Sequence, residues 1–252
     1  KYKTGSFMEV HHKHHAPKKW SEYLTEFFML FAAVTLGFFA ENQREHYIER
    51  HREEEYMQSL LEDLVKDTLE LRNATKYIDR QIAFIDTSIP LLRTPRLTTE
   101  DLKRLYIFNL SSLGNRGSEL STRTSAQLKN AGGMRLVKSH EIGNLITDYW
   151  QRHEFLQKYE DIVGDLKLKA RDQSYRIFDQ DYYVNLEEGA GPRGVKEDVK
   201  LLTNDRLTII EYANRLSHVK NSMLNVQRKI YLQQHANATK LIERIREVYH
   251  LD

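Results

Sequence analysis

The sequence predicts an all-α protein in which an N-terminal transmembrane helix continues into an elongated antiparallel helical bundle with coiled-coil-like packing. The chain of 252 residues holds only 11 glycines and 4 prolines, about half the usual share of roughly 12%, which favours long uninterrupted helices. Its one strongly apolar run lies at 27–40, and a heptad repeat of apolar residues follows it. These features place a tail at 1–20, the membrane helix at 21–42, a charged stalk at 43–56 and the bundle at 57–252.

The membrane helix is predicted from the run Phe27 to Ala40, which is 14 residues long and uncharged. That run alone covers about 21 Å of a hydrocarbon core about 30 Å thick. The flanks extend it, since Tyr23 to Asn42 spans 20 residues, or about 30 Å. Trp20 and Tyr23 suit the membrane interface and are candidate anchors. The helix can therefore just cross a lipid bilayer.

Two other interpretations of the same run remain. A buried core helix would need an enclosing apolar shell, and the rest of the chain is too polar to supply one easily. A cleaved signal peptide fits poorly, because cleavage after Ala40 would place Phe38 where a small residue is wanted.

Charge asymmetry favours an N-terminus in the cytoplasm and a C-terminal domain in the periplasm of a bacterial inner membrane. The cations before and after the span are Lys1, Lys3, Lys13, Lys18 and Lys19, then Arg44, Arg50 and Arg52. If Met8 is the natural start, the count near the span becomes three against three.

Within the span, Ala33 and Gly37 are four residues apart, and such a pair lets two helices approach closely. Glu26 and Glu41 bracket the span. They reach toward the headgroups or, alternatively, serve ion passage in an oligomer.

A heptad seam follows the charged stalk, which itself has almost no apolar stripe. The seam steps alternately by four and three residues over about four heptads, through Met57, Leu61, Leu64, Thr68, Leu71, Thr75, Ile78, Ile82 and Ile85. It can face the rest of the bundle or a second copy of the chain. We expect the first helix to run from about Ser21 to near Ser88.

The remaining helices are placed by caps and breakers. Thr98 or Thr99, followed by two acidic residues, predicts the start of a short helix through about residue 110. A second short helix is expected at 121–130, ending before Gly132. Ser139 predicts the start of a long helix to about 178. The last helix begins near 195 or 205 and runs to about 249.

Few residues suggest chemistry. The tract His11, His12, His14 and His15 can bind a divalent metal or act as a mobile, partly protonated tail, and we favour the tail. His46 and His51 are five residues apart, which turns them to different sides of a helix.

The segment Gly189 to Gly194 matches GxGxxG, but no βαβ pattern follows it, and Pro192 removes a backbone donor from the loop. Only a short candidate strand, Tyr182 to Leu186, precedes it. We interpret the segment as a flexible connection between helices.

Composition excludes several function classes. A net charge of +2 gives no reason to expect a nucleic-acid partner. The absence of cysteine excludes a disulfide scaffold, a thiolate zinc site and a cysteine nucleophile, and it fits either a cytoplasmic or a periplasmic address. No hydrolase motif is present and the carboxylates are spread along helix faces, so we expect neither an enzyme nor a cofactor.

Two blocks carry a resemblance. The run Glu26 to His46, with the histidine tract after Met8, resembles the N-terminus of an uncharacterised family of single-span, helix-rich membrane proteins common in Bacteroidota. The stretch QLKNAGGMRLV at 127–137, followed by 142–149, is similar to that family's LKxxGGLRLI … YY region; together the blocks cover about 50 residues. The resemblance implies a membrane anchor and a mainly helical soluble domain, with no activity, cofactor or catalytic residue. Residues 1–7 depart from the family's usual start at Met8.

The expected function is that of a membrane-anchored scaffold or interaction protein, self-associating or serving as an accessory subunit of a membrane assembly. The first alternative is a sensory bundle in which the long membrane-proximal helix relays ligand binding by a small shift or rotation. A pore lined by several spans is a third interpretation, and Thr35, the one polar side chain in the apolar run, makes it the weakest.

Overall fold

The computed structural model describes residues 19–130, 132–187 and 191–251, and helices dominate them, which confirms the all-α prediction. The helices and strands are α1 (Trp20–Arg93), α2 (Thr99–Ser112), α3 (Arg123–Asn130), α4 (His140–Ser174), β1 (Tyr183–Glu187), β2 (Gly191–Val195), α5 (Arg206–Ser222) and α6 (Arg228–Tyr249). Short 3-10 turns lie at Gly133–Leu136 and Gln180–Tyr182, and a π-helical turn at Met223–Gln227 joins α5 to α6. The chain divides into two compact units, Lys1–His51 and Arg52–Asp252. We call the second the bundle unit.

Four antiparallel legs make up the bundle unit. The first is α1 from Arg52, the second is residues 94–139, the third is α4, and the fourth is α5, the π turn and α6. Contacts to α1 fix the directions. Successive residues of the second leg, Gly114, Ser121 and Lys138, contact Gln81, Asp67 and Glu53, so this leg runs antiparallel to α1. In α4, Tyr149 contacts Asp67 and Lys167 contacts Gln81, so α4 runs parallel to α1. In the fourth leg, Lys220, Arg228 and Tyr249 contact Asp86, Asp79 and Glu53, so this leg is again antiparallel to α1. Each leg therefore runs opposite to the one before it.

Helix α1 passes through Pro90 and ends at Arg93, beyond the predicted end near residue 88. The backbone N–H of Thr94 donates to the Pro90 carbonyl at 3.1 Å. The Arg206 guanidinium donates to the carbonyls of Leu92, Arg93 and Thr94 at 3.2, 2.8 and 3.3 Å. Because the last carbonyls of a helix have no partner within the helix, this arginine closes the end of α1.

The predicted caps at the starts of α2 and α4 are both present. The Thr98 hydroxyl accepts from the Asp101 N–H at 3.1 Å, and the Asp101 carboxylate accepts from the Thr98 N–H at 3.1 Å, which makes a capping box. Ser139 caps α4 through the Ile142 N–H at 3.4 Å.

Helix α4 ends at Ser174, four residues before the predicted end. The N–H groups of Ile177 and Phe178 both turn back to the Ser174 carbonyl, at 2.9 and 2.8 Å. This turn buries both side chains in the core, where the Phe178 ring meets Tyr106 edge-on at 5.0 Å. Burial of two large apolar groups outweighs another turn of solvated helix.

The glycine-rich segment lies between α4 and α5, as predicted for a connection between helices, but from Gly191 onward it forms a strand. Residues 188–190 lie outside the described part, but on either side of them β1 and β2 pair as an antiparallel hairpin. Tyr183 stands opposite Val195, and Glu187 opposite Gly191. The candidate strand at 182–186 is confirmed within one residue at each end.

The π turn marks a change in the buried stripe of the last leg. Buried positions step by three and four residues along α5, then by three successive fours from Val219 through Met223, Gln227 and Tyr231. An ordinary α-helix would rotate that stripe away from the core, since four residues overshoot one turn. The wider π turn absorbs the excess and keeps the stripe inward.

Candidate functional site

The N-terminal part of α1 exposes its apolar side chains. It is the one helix in the described residues that is long and apolar enough to cross a membrane, and none of its most apolar 18-residue window is buried. Phe27, Leu30, Phe31, Leu36 and Phe38 are all more than half exposed. The described residues therefore leave the apolar side chains of this segment uncovered.

The structure places Ala33 and Gly37 one turn apart on this exposed segment. Apart from its chain neighbours and the backbone of its own helix, no described atom lies within 4 Å of where a Cβ on Gly37 would stand. Trp20 is 88% exposed, and Tyr23 lies exposed in the next turn. At the far flank, the Glu41 carboxylate pairs with Arg44 at 2.5 Å along the exposed helix surface.

The seven apolar seam residues all lie in the core, none more than 8% exposed: Met57, Leu61, Leu64, Leu71, Ile78, Ile82 and Ile85. They are covered by the other legs of the same chain. Thr68 and Thr75, which the pattern also placed on the seam, are half-buried and donate to carbonyls of their own helix, Val65 and Leu71, each at 2.7 Å. The seam therefore serves the bundle and offers a second copy no free surface.

A second buried row on α1 was not predicted. It repeats every seven residues one position before the threonines, through Glu53, Leu60, Asp67, Ala74, Gln81 and Ser88. Residues seven apart on a helix lie within about 20° of one another. We call this the polar row, because most of its members carry hydrogen-bonding groups.

The polar row holds the irregular second leg. Glu53 accepts from the Lys138 N–H at 2.7 Å, Asp67 accepts from the Ser121 N–H at 2.7 Å, and Gln81 donates to the Gly114 carbonyl at 2.7 Å. Beside the row, Asp63 accepts from the Thr124 hydroxyl at 2.6 Å. These backbone groups lie outside helices, so side chains of α1 supply hydrogen bonds that no helix of the second leg provides.

Side chains of α4 also form hydrogen bonds with the second leg. Glu160 accepts from the Ser118 N–H at 2.9 Å, and Arg171 donates to the Leu113 carbonyl. The Lys167 ammonium donates to the Gln81 side-chain oxygen at 2.8 Å and to the Gly114 carbonyl at 3.1 Å. The second leg is thus bound by polar side chains of two helices.

Burial shifts the pKa values of these groups. Burial, assisted by the positive charge of nearby Arg171 and opposed by Glu160, lowers the pKa of Lys167 to about 8. Burial also raises the pKa of Asp67, against the hydrogen bonds from Ser121 and Tyr149. The charged form of each group is disfavoured when water is removed.

The same interior holds buried polar atoms that lack hydrogen-bond partners in the described part of the chain. They include Nε2 of His153 and the side-chain oxygens of Gln227 and Gln234. Burial lowers the pKa of His153, against the nearby carboxylates of Asp67 and Glu160. The described ranges contain no group of three His, Asp or Glu side chains suited to a metal. The histidine tract at 11–15 lies outside the described residues.

A cleft of about 430 Å³ lies beside the end of α1. Its lining residues come from two stretches: Leu92, Thr94, Pro95, Leu97 and Leu102, then Lys200, Leu201, Asn204, Arg206 and Ile209. We call it the Leu92 cleft. Its volume falls within the usual range for small-molecule sites, and its lining joins an apolar floor to a few polar groups. Nothing in the sequence pattern pointed to it, because the two stretches are about a hundred residues apart.

No family model, curated protein or solved structure matches the chain.

Proposed function

We propose that this chain is a single-pass, membrane-anchored helical scaffold or interaction protein of a bacterial inner membrane. One observation carries the proposal: no described residue covers the apolar part of α1, whereas the bundle unit has a core of its own. In this proposal a lipid bilayer covers the apolar segment, since a long apolar helix is unfavourable in water. The resemblance of the run Glu26 to His46 to the N-terminus of a single-span membrane family supports the same anchor.

Membrane anchoring is tested by sedimentation of a detergent-free lysate. We expect the full chain in the membrane pellet and its release only by detergent. Phe31→Arg places a charge at the centre of the span, which costs about 2.5–3.5 kcal/mol on the insertion scale, and should move protein to the supernatant. Leu69→Arg, on the exposed face of the bundle unit, is the matched control and should stay in the pellet. Full-length protein in the supernatant would refute the anchor.

The proposed orientation puts the N-terminus in the cytoplasm and the bundle unit in the periplasm. The chain has no cysteine, so single substitutions report without background. Asp252→Cys should react with a membrane-impermeant thiol reagent in cells with a permeabilised outer membrane, and Lys3→Cys should react only after lysis. The reverse pattern would overturn the orientation.

Self-association, or docking onto another membrane subunit, is proposed to use the face with Ala33 and Gly37, because the heptad seam is occupied within one chain. Gly37→Leu should lower the mass of the detergent-solubilised assembly by blocking close approach. Phe39→Leu, about 200° away around the helix, should leave it unchanged. An unaltered mass for Gly37→Leu would remove this role.

A sensory role is the second candidate, and the Leu92 cleft is the observation that favours it. A ligand seated there would contact both the end of α1 and the start of α5. Binding could bias the position of α1, which is the kind of small helix shift used in switching proteins.

A further inference from the structure

We propose that the Leu92 cleft binds a small amphipathic carboxylate, with its aliphatic chain on the leucine floor and its carboxylate beside Lys200. Binding of this ligand can be measured by itself. Only a role of that binding in signalling rests on the sensory function proposed above. Neither membrane anchoring nor self-association enters the argument.

The floor of the cleft is apolar and rigidly placed. Leu92 and Ile209 belong to the core, at 1% and 4% exposed, while Leu97, Leu102 and Leu201 are half-buried and border the opening. An aliphatic chain that covered the three half-buried leucines would remove apolar surface from water on both partners. The contact favours a hydrocarbon over a polar ligand.

Hydrogen bonds to backbone groups of residues 200–202 hold one side of the cleft in place in the absence of a ligand. The Lys200 carbonyl accepts from the Tyr106 hydroxyl at 2.6 Å. Leu202 N–H donates to the Ile177 carbonyl at 2.9 Å, and Leu201 bridges to Phe178. The cleft is therefore preformed, which reduces the ordering cost of binding.

The charge of the lining selects an anion. Its ten residues include two cations, Lys200 and Arg206, and no carboxylate. Arg206 already covers the carbonyl end of α1, whose partial charge is about −0.5, so part of its positive charge remains. Lys200 is exposed, and its ammonium makes no ion pair in the described part of the chain.

The neighbouring carboxylate does not neutralise this rim. Asp205 turns to the start of α5, where it accepts from the N–H groups of Leu207 and Thr208 at 3.3 and 2.9 Å. Its negative charge is stabilised by the N-terminus of α5. An incoming carboxylate thus meets Lys200 without competition from a lining residue.

The test is a ligand-observed NMR titration of the full chain in nanodiscs, with empty nanodiscs subtracted. Hexanoate is the probe, and hexanol and hexylamine are its neutral and cationic counterparts. Hexanoate should bind about two- to fivefold more tightly than hexanol, as one ion pair at an exposed ammonium predicts. Across butanoate, hexanoate and octanoate, the affinity should rise about fourfold per methylene while the chain still lies on the floor.

Two glutamate substitutions distinguish a specific contribution of Lys200 in the cleft from a general effect of net charge. Lys200→Glu should weaken hexanoate about tenfold and leave hexanol unchanged. Lys196→Glu makes the same change in net charge on an exposed neighbour outside the lining and should have less than a twofold effect. Thermal unfolding of both variants checks that each is folded.

Equal affinity for hexanoate and hexanol, equal weakening by the two glutamates, or no binding would overturn the carboxylate assignment. Hexanoate binding that Lys200→Glu weakens about tenfold, with Lys196→Glu having less than a twofold effect, supports it. If such binding then leaves amide exchange throughout α1 unaltered, only the sensory role fails.

Discussion

Replacing Lys167 by methionine should change how the stability of the bundle unit responds to pH. The lysine is 3% exposed, and its ammonium donates to Gln81 and the Gly114 carbonyl. No carboxylate lies within ion-pair distance of it in the described residues. Methionine keeps a similar length and removes the charge.

The size of the effect follows from the shift in pKa. Burial lowers the pKa of Lys167 from 10.5 to about 8. Between those values the unfolded chain binds more protons than the native chain, so the free energy of unfolding rises with pH. Below pH 8 both states are protonated and the contribution is flat. The wild type should therefore gain about 2–3 kcal/mol relative to Lys167→Met between pH 7 and pH 10.

The assay is urea unfolding followed by the fluorescence of Trp150, which is buried in the bundle unit. Both chains carry Trp20→Phe, so that Trp150 is the single reporter. Tyrosine titration affects wild type and variant alike and cancels in the difference. Lys169→Met, on an exposed position of the same helix, is the control and should show no such slope. A wild-type minus Lys167→Met difference that stays constant within about 0.5 kcal/mol would refute the reasoning.

Two further stability predictions use matched pairs and the same urea assay. Leu71→Ala should cost about 2–5 kcal/mol because Leu71 is fully buried, whereas Leu69→Ala, at a side chain 56% exposed, should cost less than about 0.5 kcal/mol; equal effects would contradict the core assignment. Thr98→Ala removes the capping box and should cost about 1 kcal/mol, whereas Thr99→Ala, at an exposed position inside the first turn, should be neutral or slightly stabilising because alanine has the higher helix propensity. A larger loss at Thr99 would place the cap one residue later.

The seam could be predicted because its apolar residues repeat with the period of a packed helix. The polar row could not, since Glu53, Asp67 and Gln81 look like solvated positions when only local pattern is considered. They are buried because the second leg lacks backbone partners of its own, which depends on contacts far along the chain. One signal was available: these three residues are spaced by fourteen and lie in phase with Leu60.

The ends of elements were harder to predict than their existence. Helix α4 was expected to reach Phe178, but its last residues turn inward to bury that ring. Arg206 extends α1 past Pro90 from more than a hundred positions away. The Leu92 cleft has the same origin, because its two walls meet only after α1 and α5 have packed.

Two parts of the second leg differ in how many residues they use to cover the same distance along α1. Between Gln81 and Asp67, fourteen residues of α1 rise about 21 Å, and the leg covers this interval with the seven residues from Gly114 to Ser121. Seven residues reach at most about 25 Å, so this stretch is nearly taut. From Asp67 down to Glu53 the same rise is covered by seventeen residues, which coil into α3 and a 3-10 turn. Deleting one residue between Gly114 and Ser121 should therefore break the hydrogen bond to Gln81 or to Asp67. The stretch from Ser121 to Lys138 is long enough to lose a residue and keep its hydrogen bonds to α1.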